Sequence, residues 1–187
     1  MDQGRHAAEK KPTILSTLLS LVMLVAFVLV LSWALRTFVF QAYEIPSGSM
    51  ETTIMTKDMV FSEKVTYYTR DVQQGDIVTF IDPTDSSRTL IKRVIAVGGQ
   101  EVDLKNGKVY VDGEALDEPY TNGLPSEELP GSNVTFPYKV KEGYLWCMGD
   151  NRTNSQDSRW FGAVKASTVT GKAFVIYWPL DRIRLLS

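Results

Sequence analysis

The stretch Ile14 to Leu35, ILSTLLSLVMLVAFVLVLSWAL, carries no charge, no proline and no glycine, and it limits the whole chain more than any other segment. As a helix at about 1.5 Å per residue it extends roughly 33 Å, enough to cross a hydrocarbon core of ~30 Å. A cleavable export signal fits less well, although Ser32-Trp33-Ala34 has the small-x-small form of a cleavage site. Signal h-regions run about 7–15 residues, and this run passes directly into Arg36 with no polar region before it. A buried core helix normally carries a polar stripe, and none is visible. Residues 1–13 are therefore expected to form a tail, 14–36 a transmembrane anchor and 37–187 a separate domain. Arg5, Lys10 and Lys11 precede the span, partly offset by Asp2 and Glu9, while only Arg36 follows it before Lys57. The positive-inside bias places the tail in the cytoplasm and the domain outside it, with Trp33, Phe38, Phe40 and Tyr43 near the outer interface.

Beyond Phe38 the pattern changes from helix to strand. Apolar, β-branched runs recur between turn signals: VFQAYEI, DMVFSEKV, GDIVTFI, RTLIKRVIAV, KVYV and GKAFVIYW. Asn106-Gly107 suits a type I′ hairpin turn, with Leu104 and Val109 beginning its arms. Pro119, Pro125, Pro130 and Pro137 make the following stretch loop-like, so 103–145 reads as a hairpin and loop elaboration on the domain. The expected class is mainly β, an antiparallel sheet or barrel-like domain behind one N-terminal transmembrane α-helix.

Composition then removes whole classes of chemistry. One cysteine and one histidine cannot supply a zinc site, and Cys147 has no partner for a disulfide within the chain. It reads as a small buried apolar residue beside Trp146 and Met148. A formal net charge of −2 gives no reason to expect nucleic acid. No metal or organic cofactor is expected.

The segment PSGSM, Pro46 to Met50, raises the possibility of a serine nucleophile, with Gly48 allowing a sharp turn that presents Ser49. A Ser-His-Asp triad would need a histidine nearby, but His6 precedes the span. The remaining precedent pairs serine with lysine. A lysine acts as base only when neutral, and burial is what brings its pKa down from about 10.4 toward ~7–8. Lys92 fits, because alternation in Arg88 to Val97 places Leu90, Lys92, Val94 and Ala96 on one face. Lys105, Lys108, Lys139 and Lys141 sit among polar or loop residues and read as solvated. Each segment also has a plainer account. Lys92 could snorkel from an edge strand, PSGSM could be a turn, and GDNRTNSQDSRWFG (149–162) could be turns with an Asp157–Arg159 ion pair.

Together, PSGSM, IKRV and MGDNRTNSQDSRWFG, in that order behind an N-terminal span, resemble the type I signal peptidases. These are membrane-bound Ser-Lys endopeptidases that remove signal peptides from exported proteins, and the likeness extends to Trp178-Pro179-Leu180. The resemblance implies Ser49 as nucleophile, Lys92 as general base, and Ser47 as a hydroxyl assisting the Ser49 N–H in an oxyanion hole. It implies that Ser155 orients the lysine amine and that Asp157 and Arg159 form a supporting ion pair. Tyr43, Ile45, Met50, Leu90 and Ile91 would line shallow pockets for small residues one and three before the cut. The chain departs from the family pattern at Glu51-Thr52-Thr53, where Pro then Thr usually follow the Met. It departs again at Gly98-Gly99-Gln100, where Gly-x-Pro-Gly-Asp is common.

The implied partners are signal-peptide-bearing preproteins, the lipid bilayer and a nearby secretion translocase, and the implied location is a bacterial cell membrane. A self-cleaving Ser-Lys regulator is a rival, but it would replace the span with a DNA-binding or cytosolic region. A non-catalytic, membrane-anchored β module is the other rival, and it would leave the Ser49, Lys92 and Ser155 set without a purpose.

Overall fold

The computed structural model describes residues 13–186, so the expectations for Arg5, His6, Lys10 and Lys11 lie outside the described residues. The described residues divide into two compact units at the Thr37–Phe38 junction. The first is helix α1, Ile14–Phe38, none of whose residues is buried. By length and composition it is able to cross a membrane. Its first turn is tied by Thr17 N–H and Ser16 Oγ, which both donate to the Thr13 carbonyl. Arg36 in the last turn complements the helix dipole.

The second unit is built of antiparallel strands. In chain order they are β1 (Phe40–Glu44), β2 (Met59–Glu63), β3 (Ile77–Ile81), β4 (Thr89–Val97), β5 (Glu101–Lys105) and β6 (Lys108–Val111). They continue as β7 (Glu114–Ala115), β8 (Tyr138–Lys139), β9 (Tyr144–Met148), β10 (Val164–Lys165), β11 (Val169–Trp178) and β12 (Arg184–Leu185). The main sheet runs β1-β2-β11-β3-β4-β9-β10, with β12 also on β11, and a smaller sheet runs β7-β6-β5-β8. Two single-turn helices, α2 (Thr66–Thr69) and α3 (Ser158–Phe161), complete the unit.

The Asn106-Gly107 hairpin is as expected: Leu104 pairs with Val109, and both turn residues have positive φ, 52° and 74°. The elaboration has different limits. The small sheet spans 101–139, and Tyr144–Met148 is a strand of the main sheet. YLWCM escapes an alternation test because its last four residues are all buried. At the Gly98-Gly99-Gln100 departure the turn closes through Gln100 N–H, which donates to the Val97 carbonyl at 3.2 Å, and is reinforced by the glutamine side chain. Gly99 takes a φ of +89°, and Gln100 Oε1 accepts from Val97 N–H at 3.0 Å.

Three apolar clusters hold the unit together. Ile45, Met50, Ile54, Val60, Ile77, Ala173, Ile176 and Leu186 make one of them, with Ile91 packed against it. A second joins the two sheets through Ile95, Ala96, Val102, Val109, Trp146 and Met148. The third holds Val78, Phe80, Val94 and Cys147, with Leu90 against it. Burial of Cys147 pushes its thiol pKa up, which keeps it neutral. The face expected from strict alternation needs one correction. A register shift between Val94 and Ala96 moves Ala96 into the second cluster, away from Leu90 and Val94. The cause is an irregularity of the bulge type, where one extra residue reverses the parity of all that follow.

Candidate active site

Ser49 sits in a one-turn 3-10 helix, Gly48–Met50, entered through an extended Ser47. What fixes this turn is Met50, which is 0% exposed and lies in the first cluster beside Ile45 and Ile54. A buried side chain of this size stabilises by roughly 1.5–3 kcal/mol, enough to hold one short turn against fraying. Ser49 itself is 8% exposed.

Lys92 approaches from β4. Its partner on β3 is Val78, and although β9 pairs with β4 only from Arg93 onward, Lys92 is buried and does not snorkel. At 3% exposure its Nζ donates to Ser49 Oγ at 2.6 Å. Burial brings the Lys92 pKa down to about 8, against the pull of the Asp157, Asp150 and Asp82 carboxylates in the other direction. Desolvation wins. The shift corresponds to an amine made on the order of 3 kcal/mol easier to deprotonate. Lys105, Lys108, Lys139 and Lys141 are all exposed, as expected.

The segment after β9 closes over this pair. Gly149 lies where no side chain fits: a Cβ there would stand 2.6 Å from Ser155 Cβ and collide with Ser155 Oγ and the Ser49 carbonyl. Ser155 and the Ser49 backbone therefore flank the same α-carbon. Ser155 Oγ is buried and, among the described residues, has no hydrogen-bond partner. An orphaned buried hydroxyl costs about 1–3 kcal/mol, and the bond to the Lys92 amine that the resemblance implies is not made in this structure.

Asp157 holds the segment's shape. It caps α3 by accepting from Arg159 N–H, and its Oδ2 accepts from Gly149 N–H at 3.0 Å. The Arg159 guanidinium grips both carboxylate oxygens, at 3.0 and 2.9 Å, with the two residues 1% and 0% exposed. The expected ion pair is thus bidentate, buried and tied to the glycine that abuts Ser49.

Two further arrangements had no clear sequence signal. Arg93, next to Lys92, makes a bidentate pair with Asp150, next to Gly149, at 2.9 Å for both contacts. Asp150 also accepts from Thr53 Oγ1 in the turn after Ser49. Arg152 grips Glu118 and also donates to Ser126 Oγ. The Tyr120 ring lies 3.9 Å from the Arg93 guanidinium carbon. Opposite charges on adjacent residues of two segments are the only local hint of these pairings, and Glu118 lies in the proline-rich loop where sequence gives no partner.

The residues expected to line pockets fall on two levels. Ile45 and Met50 are buried in the first cluster, whereas Tyr43, Leu90 and Ile91 are half-buried. Ser47 is exposed. Along β4, residues 93–97 pair with β9, but residues 89–92 have only β3 beside them among the described residues. On β1 one side pairs with β2 and the other ends the sheet. The outer edge of β1 and the Thr89–Lys92 edge of β4 therefore have no strand beside them among the described residues.

The chain is similar to proteins already known. The family described as signal peptidase, peptidase S26, matches residues 17–178. A probable signal peptidase I-2 of Synechocystis sp. is 40% identical over 84% of this chain and 72% of its own length. A signal peptidase I of Leptolyngbya laminosa is 33% identical over 94% of this chain and 87% of its own. The crystal structure of a signal peptidase I from Enterococcus faecalis V583 is 29% identical, covers 55% of this chain and 97% of that one, and superposes with a TM-score of 0.49.

Proposed function

The chain belongs to the signal peptidase family, peptidase S26, and is a signal-peptide-cleaving serine endopeptidase; from that premise we propose that Ser49 is its nucleophile and Lys92 its general base. The observation that carries this reading is the 2.6 Å contact between a serine hydroxyl and a buried amine whose pKa is about 8.

The chemistry runs in two halves. Neutral Lys92 takes the proton of Ser49 Oγ as that oxygen bonds to the scissile carbonyl carbon, and the carbonyl π pair moves onto its oxygen. The negative oxygen is met by the Ser49 N–H, with the Ser47 hydroxyl beside it. When the tetrahedral centre collapses, the carbon–nitrogen bond breaks and the Lys92 ammonium gives its proton to the departing amine. Neutral again, Lys92 takes a proton from water, whose oxygen attacks the acyl-serine ester. Collapse returns the proton to Ser49 Oγ. During each protonated interval the ammonium needs an acceptor other than Ser49, and the unpartnered Ser155 hydroxyl is suited to that task. The Asp157–Arg159 pair holds Gly149 against both serines.

The substrate enters as an added strand along β1 and the vacant part of β4, bound by main-chain hydrogen bonds. On this reading Tyr43, Ile45, Met50, Leu90 and Ile91 line shallow pockets beneath it for small residues one and three before the cut. Residues 14–36 anchor the enzyme in the bilayer, with 1–13 cytoplasmic and 37–187 on the opposite side, near the translocase that delivers preproteins. Sharing one membrane with the substrate raises the effective concentration of both.

Ser49→Ala in the full chain, assayed in detergent on a preprotein, is expected to lower kcat at least about a thousand-fold with the fold intact. Turnover at the wild-type rate would overturn the assignment. The pH profile gives an independent check. With a Lys92 pKa of about 8, only about a tenth of the amine is neutral at pH 7, so kcat/KM should climb nearly ten-fold per unit below pH 8 and level off above it. A profile flat from pH 6 to 9 would exclude a lysine base of this kind.

A further inference from the structure

The roles above use Ser49, Lys92, Ser155, Asp157 and Arg159 but leave Asn151 without one, although it lies in the same closing segment. Asn151 makes two hydrogen bonds to the nucleophile turn. Its backbone N–H donates to the Ser49 carbonyl at 3.1 Å, and its side-chain Nδ2 donates to the Gly48 carbonyl at 3.0 Å. Those two carbonyls belong to the two peptide units that flank Ser49.

The geometry of a peptide unit gives these contacts their meaning. In a planar trans unit the C=O and N–H point in opposite directions. The bonds on either side of Ser49 are trans. Fixing the Gly48 oxygen therefore fixes where the Ser49 N–H points. Without Asn151, the Gly48 carbonyl would keep only the 3.2 Å bond from Glu51 N–H, the single closure of a three-residue turn. Isolated 3-10 turns are held weakly by their own hydrogen bonds. Asn151 is half-buried, and its own carbonyl accepts from Asn154 N–H at 3.0 Å, so the donor is carried on an ordered loop.

We propose that Asn151 is a positioning residue for the oxyanion: by holding the carbonyls of Gly48 and Ser49 it aims the Ser49 N–H at the point where negative charge develops. It acts through that N–H and does not touch the substrate. The inference rests on the reading of Ser49 as nucleophile and adds to it the device that orients the donor.

The contribution should appear in the transition state and not in ground-state binding. Removing a direct oxyanion donor costs roughly 10²–10³-fold in kcat, and misaiming one should cost less, about 10–100-fold. Asn151→Ala and the isosteric Asn151→Asp test this in the full chain. Aspartate keeps the shape and the backbone N–H, but it sets an acceptor against the Gly48 carbonyl. For both variants kcat on a preprotein, read on the plateau above the acid limb, should fall about 10–100-fold with KM within about three-fold; the limb should stay in place in Asn151→Ala and move to higher pH in Asn151→Asp, whose new carboxylate favours the charged Lys92 amine.

A peptide aldehyde provides the discriminating probe. Ser49 Oγ adds to its carbonyl carbon, Lys92 takes the serine proton, and the former carbonyl oxygen carries the charge. Its affinity should fall by the same factor as kcat/KM, while that of the corresponding peptide alcohol, which forms no adduct, stays within about three-fold. Wild-type kcat in both variants, or equal losses for aldehyde and alcohol, would overturn the proposal. Should Asn151→Ala fail to fold, Asn151→Asp decides alone. Ser49→Ala, run beside them, separates the two levels. If it retains turnover, the nucleophile reading fails and takes this inference with it. If it is inactive while both Asn151 variants are fully active, only this inference falls.

Discussion

Lys92→Met is expected to abolish cleavage, by at least about a thousand-fold, and at the same time to make the domain harder to unfold at neutral pH. The two effects share one cause. The folded protein holds the Lys92 amine where its pKa is about 8, against an ordinary value of 10.5. Below pH 8 both folded and unfolded chains carry the charge, and the folded one bears the full desolvation cost. Between about 8 and 10.5 the folded chain has released its proton and the unfolded chain has not, so wild-type stability rises with pH across that window. Above 10.5 both are neutral and the penalty is gone. Methionine never carries it. After allowance for the lost bond to Ser49, the gain should be on the order of 2 kcal/mol at pH 7 and should shrink toward pH 10. Urea midpoints of the full chain in detergent, measured at pH 7 and pH 10, check this. A methionine variant less stable than wild type at pH 7, with the same deficit at pH 10, would show that the amine carries no desolvation penalty in the folded state.

Asp157→Ala should be the most damaging change to the fold itself. The carboxylate accepts from Gly149 N–H, from Arg159 N–H and from the Arg159 guanidinium, with neither partner of the ion pair more than 1% exposed. Its removal leaves a buried guanidinium without a counter-charge, a loss of about 3–5 kcal/mol. Arg159 keeps its bonds to the Arg152 and Glu127 carbonyls, so it cannot simply swing into water. Asp157→Ala combined with Arg159→Met removes both charges and should recover most of the loss, which a double-mutant cycle reads as a coupling. If single and double variants are equally unstable, the pair is not what holds the segment. The activity of the single variant, measured below its melting temperature, carries a second signature. Asp157 is the leading charge raising the Lys92 pKa, so its loss should move the acid limb to lower pH.

How much of this was readable beforehand varied with the range of the interaction. Composition and the strand pattern made Ser49 and Lys92 candidates, because a chain whose one histidine precedes the span leaves few bases, but their proposed roles came from the resemblance carried by three separated segments. The Asn106-Gly107 hairpin was legible because its signal is local, two residues whose backbone chemistry defines the turn. The face of Ala96 was misread because a bulge is set by pairing with β9, which no period along β4 reveals. The Tyr144–Met148 strand was missed for the opposite reason: buried on both faces, it shows no alternation. Least visible were Arg93–Asp150 and Arg152–Glu118, pairs 57 and 34 residues apart whose partners meet only after the sheets have formed. Family membership removes the self-cleaving regulator and the non-catalytic module, which residues alone had left standing.

Because β9 parts from β4 at Arg93, the row of main-chain groups from Thr89 to Lys92 can be matched only by a guest that is itself drawn out straight. A preprotein whose residues around the junction have already coiled or folded hides the very groups that would dock in the proposed binding mode. Under the proposed strand addition, cutting is confined to the interval in which the junction is still extended. A preprotein that folds quickly close to its junction should escape trimming unless something keeps it unravelled.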